Sequence, residues 1–228
     1  MSTNIYLSQL YVYSKILFMK DLIVVSDFDG TITQKDGLYT FIKEYANGDW
    51  EKIEQDWTNG KISSKECLTE EFRLISDLSE EMISGFVKTI GIDEYFKDFY
   101  EMIMQKNIDF CIVSDGIDYF IERILNYNGL GNIKVVSNHG EFRGEFFELK
   151  FPNDSVQCKN NAGTCKCKVI ADLKKEYNKV VYIGDGVSDF CVANKADIIY
   201  AKSKLLDYCM DKKIPCVQYN SFKDINIL

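Results

Sequence analysis

The stretch Leu22-Ile23-Val24-Val25-Ser26-Asp27-Phe28-Asp29-Gly30-Thr31-Ile32-Thr33 decides the fold. Its first half is a short, β-branched apolar run, the pattern of a strand buried on both faces. The run stops at a carboxylate, skips one residue and presents a second. In extended geometry Asp27 and Asp29 share a side while Phe28 points away. Gly30 lets the chain turn, and Thr31 and Thr33 add hydroxyls. Two carboxylates at the carboxyl end of a central strand suit a divalent cation with an electrophile beside it.

Further strand ends of the same kind follow. Asp109–Val113 is apolar and ends in Ser114-Asp115-Gly116, with a helix expected over 119–127. A hydroxyl and free backbone N–H groups at a strand-to-helix turn make an anion site. Val180–Gly184 ends in Asp185-Gly186-Val187-Ser188-Asp189, with a helix expected to follow through Cys191, Val192 and Ala193. Between them Gly163-Thr164 reads as a turn and helix cap, and Lys166–Tyr177 as a helix. On that helix Lys166 shares the apolar face with Val169, Ile170, Leu173 and Tyr177, whereas Lys168 faces solvent. A lysine on a core face needs an anion to meet it. Strands are also expected at 133–137, 197–202 and 214–218, a helix at 205–211, and an exposed hairpin around Gly144.

From 37 to 107 no strand appears. Five helices are expected, at 38–45, 50–57, 63–75, 79–90 and 94–106. Ser63 with Glu66 gives a capping-box signature. The chain therefore reads as α/β: a Rossmann-like parallel sheet core, residues 19–35 and 107–228, with a helical cap, 36–106, inserted after the first strand. Tyr39, Trp50 and Trp57 of the cap are candidates to line a pocket. Residues 1–18 read as an extension or as the product of an upstream start; they are too broken for a membrane span and lack the marks of a signal peptide.

These strand ends, in this order, resemble the four motifs of the haloacid dehalogenase superfamily in its phosphatase form. Asp27-Phe28-Asp29-Gly30-Thr31 is similar to motif I, Ser114 to motif II, Lys166 to motif III and Gly184-Asp185-Gly186-x-Ser188-Asp189 to motif IV. The resemblance implies a Mg2+-dependent phosphatase acting on a small phosphate monoester through an aspartyl-phosphate. It implies Asp27 as nucleophile and Asp29 as acid–base. Ser114, Asp115, Gly116 and Lys166 would hold the phosphoryl group. Mg2+ would be held by Asp27, Asp185 and the carbonyl of Asp29, with Asp189 and Thr31 behind them. Ser137-Asn138-His139 before an aromatic hairpin, the Cys-rich approach to Lys166, and Asp36 resemble the methionine-salvage branch, which acts on 2-hydroxy-3-keto-5-methylthiopentenyl-1-phosphate. Ser114-Asp115-Gly116 and Cys167-Lys168 depart from that branch, which keeps phosphoserine, phosphoethanolamine and phosphocholine open as substrates. A non-catalytic binder would have lost Asp27 or Asp29. A phosphotransferase would pass the phosphoryl group to an acceptor other than water.

Composition sets further bounds. The chain has 228 residues, 46% of them hydrophobic, and a formal net charge of -8, with a pI near 4.8. That excess of acid argues against nucleic acid and anionic membranes as partners. Eight cysteines, several inside apolar runs, suggest reduced thiols in a cytoplasmic protein. Cys158, Cys165 and Cys167 lack a Cys-x-x-Cys pair, and His139 is the only histidine, which weakens a zinc reading; metal and disulfide both stay open there.

Overall fold

The computed structural model describes residues 19–158 and 161–227, so the expectation for 1–18 lies outside the described residues. Its frame is a seven-stranded sheet: β1 (Lys20–Ser26), β2 (Asp109–Ile117), β3 (Lys134–Phe142), β4 (Phe147–Lys150), β5 (Tyr177–Gly184), β6 (Ile198–Ala201) and β7 (Val217–Gln218), in the order β4-β3-β2-β1-β5-β6-β7. Only the β3–β4 hairpin is antiparallel. The chain winds outward from β1 to β3, then returns to the other side of β1 with β5. The strand order therefore reverses at β1, where a crevice opens at the carboxyl ends.

Period-two alternation assigns the two faces of β1. Val24 joins one core cluster; Ile23 and Val25 join the other. The second cluster includes Ile170 of α7 (Lys166–Leu173), and Leu205 and Cys209 of α8 (Ser203–Lys212). The first cluster continues into the inserted helices α1 (Gly37–Tyr45), α2 (Trp50–Thr58), α3 (Ser64–Arg73) and α4 (Glu80–Val87). Phe41 of α1 sits at its centre, fully buried, with ring centroids 5.0 Å from Phe86 of α4 and 4.5 Å from Phe120 of α6 (Asp118–Tyr127). Phe147 of β4 stacks into the same group, 5.3 Å from Phe72 of α3. The hairpin thus packs Phe147 under the inserted helices, while its Gly144 turn, at φ +88°, and Lys150 of β4 face out.

All five helices expected between 37 and 107 form, and Ser63 with Glu66 makes the capping box that starts α3. Their grouping differs from the sequence expectation. The segment leaves and rejoins the sheet layer at the Thr33–Ile92 bridge. Beyond it α5 (Phe96–Gln105) packs Phe96 against Phe110 and Phe99 against Phe222. We therefore assign α5 to the sheet layer and end the cap at the bridge.

Three local expectations are corrected. Helix α7 ends at Leu173, because Tyr177 pairs with Lys20 and starts β5; the Tyr177 hydroxyl donates to Asp109 Oδ2 at 2.7 Å. No α-helix runs through Cys191–Ala193; the chain makes a 3-10 turn over Val187–Asp189, with Val192 and Ala193 still buried. Cys165, not Thr164, is the helix cap of α7, and the Thr164 hydroxyl instead donates to Asn138 Oδ1 at 3.1 Å. All eight cysteines are free thiols, with the Cys165 and Cys167 sulfurs 3.4 Å apart. No helix among the described residues is long and apolar enough to cross a membrane.

Because Phe41 joins cap, α6 and hairpin, Phe41→Ala is expected to destabilise the fold by about 3–5 kcal/mol. Urea denaturation followed by circular dichroism measures it.

Candidate active site

Strand β1 delivers its last ladder contact through the Asp27 N–H, which donates to the Ile183 carbonyl at 2.9 Å. The chain then folds over itself: the N–H groups of Thr31, Ile32 and Thr33 all converge on the Phe28 carbonyl. This turn needs Gly30. Its φ is +72°, and a Cβ there would lie 2.7 Å from Asp185 Oδ2. The turn brings the buried Thr31 hydroxyl to Asp185 Oδ1 at 2.8 Å, coupling the end of β1 to the end of β5.

Lys166 enters from the start of α7 and is 1% exposed. Its ammonium lies 2.8 Å from Asp27 Oδ2 and 2.7 Å from Asp189 Oδ1, and donates to Ser188 Oγ at 2.9 Å. A buried ammonium is tolerated only when paired and hydrogen-bonded throughout, and here all three donor directions are used. Its pKa is raised: the carboxylates of Asp189 and Asp27 outweigh the burial that opposes the charge. Lys168 is exposed, as the helical phase requires.

Asp189 is fully buried and saturated. Oδ1 takes Lys166 and the Tyr182 hydroxyl at 2.6 Å, and Oδ2 takes the N–H groups of Asp185 and Gly186 at 2.9 and 3.1 Å. Asp27 is less satisfied. Burial and the neighbouring Asp189 push its carboxyl well above the usual range, with Lys166 opposing. Burial and Asp189 also raise Asp185, to about 6. Asp27, Asp185 and Asp189 place carboxylate oxygens within 4.8 Å of one another against one lysine. This excess of buried negative charge fits a divalent cation. Asp27 and Asp185 keep lone pairs for it, whereas Asp189 is spent on the protein.

Asp29 points across the turn. Its Oδ1 accepts the Gly37 N–H at 2.9 Å, and burial together with Asp36 raises its pKa to about 8. It therefore suits a proton donor at neutral pH. Gly116 makes room for it, since a Cβ there would stand 2.8 Å from Asp29 Oδ2. Ser114 is buried at the end of β2, and its Oγ accepts the Gly116 N–H at 2.9 Å. Asp115 lines the same cavity, but its carboxylate takes protein donors: Ser64 Oγ of α3 at 2.5 Å and the Thr164 N–H at 2.8 Å. It fastens the cap to the sheet, so its carboxylate is not free to face a ligand. Asp36 caps α1, accepting the Tyr39 N–H at 2.8 Å. His139 pairs with Asp118 at 2.7 Å and is not among the cavity-lining residues.

A cavity of about 550 Å³ joins these groups to the cap. Asp27, Asp29, Asp36, Ser114, Asp115, Gly116 and Asp185 line it from the sheet, and Tyr39 and Trp57 from the cap. Trp50 stacks edge-on against Tyr39, with centroids 5.6 Å apart. Sequence reasoning missed Tyr182, and it read Ser188 within motif IV without its contact to Lys166. Tyr182 left a signal, a hydroxyl in the middle of an otherwise apolar buried strand, which must find a partner.

Carboxylates and a serine on the strand ends of a parallel sheet, with a lysine from a helix start, under a helical cap, define a haloacid dehalogenase-type phosphatase, a phosphoric monoester hydrolase. A family model described as "Putative Phosphatase" matches residues 22–222, and the chain belongs to that family. It is 32% identical over 210 residues, covering 91% of this chain and 90% of the relative, to a protein of Bacillus pumilus (strain SAFR-032) named 2-hydroxy-3-keto-5-methylthiopentenyl-1-phosphate phosphatase. A protein of the same name from Geobacillus thermodenitrificans (strain NG80-2) is 30% identical, over 90% of this chain and 94% of the relative. A solved structure titled as a phospho-aspartyl intermediate analogue of phosphoserine phosphatase superposes with a TM-score of 0.68 at 20% identity, covering 91% and 97% of the two chains, and shares the fold.

Lys166→Ala leaves Asp27 and Asp189 facing each other without a counter-charge. It is expected to cut kcat/KM at least about 10²-fold, while Lys168→Ala changes it less than about twofold. Steady-state kinetics on an aryl phosphate reads both.

Proposed function

We propose that the chain hydrolyses a small phosphate monoester by double displacement on Asp27. A carboxylate of Asp27 attacks phosphorus, and the bond from phosphorus to the leaving oxygen breaks. Asp29 gives its proton to that oxygen. Lys166, the Ser114 hydroxyl and the N–H groups of Asp115 and Gly116 hold the phosphoryl oxygens while charge builds on them. Water then attacks the phosphorus of the aspartyl-phosphate and gives its proton to Asp29. Inorganic phosphate leaves, and Asp27 is again a carboxylate. The cap excludes other water from the cavity.

Phosphatases of this fold generally use Mg2+, and the donor set here fits it: Asp27, Asp185 and the carbonyl of Asp29 would hold the ion. When bound it neutralises phosphate charge that would repel an anionic nucleophile. Asp189 positions Lys166, and Thr31 positions Asp185. The observation that carries the reading is the 2.8 Å contact of buried Lys166 with Asp27, whose second neighbour, Asp189, is already saturated.

The relatives' names favour 2-hydroxy-3-keto-5-methylthiopentenyl-1-phosphate as the substrate, the ester of the methionine-salvage branch that the sequence resembles. The acid lining of the cap favours a second reading, an amine-bearing ester such as phosphoethanolamine. The net charge of -8 weighs against polyanionic partners, and reduced thiols agree with a cytoplasmic setting.

Purified protein is expected to release inorganic phosphate from an aryl phosphate with water as acceptor, to lose this activity in EDTA and to regain it with Mg2+. Asp27→Asn abolishes turnover with the fold intact, and Asp29→Asn slows alkyl ester hydrolysis by about 10²–10⁴-fold. Phosphate-release assays and circular dichroism on each variant check these outcomes.

A further inference from the structure

Cysteines flank Lys166 on every side. Cys165 precedes it as the cap residue of α7, and Cys167 follows it in the first turn. Their sulfurs lie 3.4 Å apart. The Cys165 side chain makes no capping hydrogen bond, so its sulfur is not committed to the helix end. The Cys191 thiol donates to the Ser188 carbonyl at 3.7 Å, and the Ser188 hydroxyl is one of the three groups that hold the Lys166 ammonium. Cys158 is also within hydrogen-bond reach of Cys165, but its sulfur already accepts the Ala162 N–H at 3.5 Å. None of these thiols takes part in the phosphoryl transfer proposed above.

Cys165 and Cys191 are inert alone, because burial pushes both thiols up to about 12. Cys165 is 2% exposed, whereas Cys167 is half-buried and meets solvent. An oxidant therefore reaches Cys167 first. Among the described residues, the groups of three ligand atoms close enough to hold a metal include neither sulfur. Two touching thiols, one of them open to solvent, suit a disulfide better than an ion. In a reducing compartment such disulfides are transient and sense oxidants.

We infer that Cys165 and Cys167 form an oxidation site whose disulfide disables Lys166. The oxidant is hydrogen peroxide. The Cys167 sulfur breaks the O–O bond, giving Cys167 sulfenic acid and one water. The Cys165 sulfur then displaces the sulfenic hydroxyl, which leaves as a second water with the proton of Cys165. The two sulfurs lose two electrons, and the peroxide gains them. The new bond draws the sulfurs from 3.4 Å to about 2.0 Å. Cys165 is anchored: its N–H donates to the Asn153 carbonyl at 3.0 Å, and the Asn153 amide donates to the Ser137 carbonyl of β3 at 2.8 Å. The movement therefore falls on the first turn of α7, which carries Lys166. The ammonium cannot follow without lengthening a contact to Asp27, Asp189 or Ser188. A bond across one residue closes a small, strained ring, so thiols reduce it readily. The inference rests on the phosphatase reading and adds a control to its site.

The test treats wild-type protein with hydrogen peroxide and follows p-nitrophenyl phosphate hydrolysis with Mg2+. kcat/KM is expected to fall by about 10- to 100-fold and to return with dithiothreitol. C167S is expected to match reduced wild type before treatment and to keep its activity afterwards, while C158S loses activity as wild type does. Non-reducing peptide mapping of wild type reads the bond directly, whatever the variants do. Trypsin cleaves after Lys166, so Cys165 and Cys167 end on separate peptides joined only by their disulfide. A link from either residue to Cys158 or Cys191 overturns the inference. So does a mapped bond without loss of activity, or a loss that persists in C167S. Zn2+ bound stoichiometrically by reduced wild type and lost in C167S overturns it too, and reassigns the thiols to a metal. Absence of hydrolysis by the reduced protein overturns the phosphatase reading itself, and the control of Lys166 with it.

Discussion

Everything around the site answers one constraint, the buried ammonium of Lys166. Removing such a charge from water is costly, and removing one partner from a buried ion pair costs about 3–5 kcal/mol. The protein meets this cost with two carboxylates and a serine hydroxyl. Asp189 is itself fixed by Tyr182 and by the N–H groups of Asp185 and Gly186. Lys166 is thereby fixed without relying on Asp27. Asp27 keeps a lone pair free, and under the proposed mechanism the lysine meets the phosphoryl oxygens.

The parallel sheet brings these parts together because β1 lies between β2 and β5. Their carboxyl ends supply Asp27, Ser114 and Asp185 side by side. Close approach is permitted by Gly30 and Gly116, where a side chain would strike Asp185 or Asp29. The cap is held from two directions. Phe41 ties it to α6 and the hairpin through aromatic packing, and Asp115 ties it to the sheet through Ser64. The residue next to Ser114 thus fastens the lid of the cavity.

Much of this was legible in the sequence, since apolar runs ending in Asp or Ser mark buried strands and their catalytic ends. The helical phase also put Lys166 on the core face. The same phase carried α7 too far, because Tyr177 fits the apolar face of a helix as well as the first position of β5. Only the pairing with Lys20 decides between them. The place of α5 was equally hidden: Phe96 and Phe99 give it an apolar face, but nothing local says that the face meets Phe110 and Phe222. Glu54 and Glu71 read as ordinary helix acids until α2 and α3 pack. A tertiary contact alone brings half-buried Glu54 against buried Glu71.

The central claim is that Asp27 carries the phosphoryl group. It is tested most directly in the Asp29→Asn variant with p-nitrophenyl phosphate and Mg2+. The nitrophenolate leaves without a proton, so the first displacement proceeds while hydrolysis of the intermediate stalls. Acid quench followed by peptide mass spectrometry should find a phosphoryl adduct on the peptide containing Asp27, matched by a stoichiometric burst of nitrophenolate. Steady release of nitrophenolate with neither burst nor adduct would mean that water attacks the ester directly, and would contradict the account.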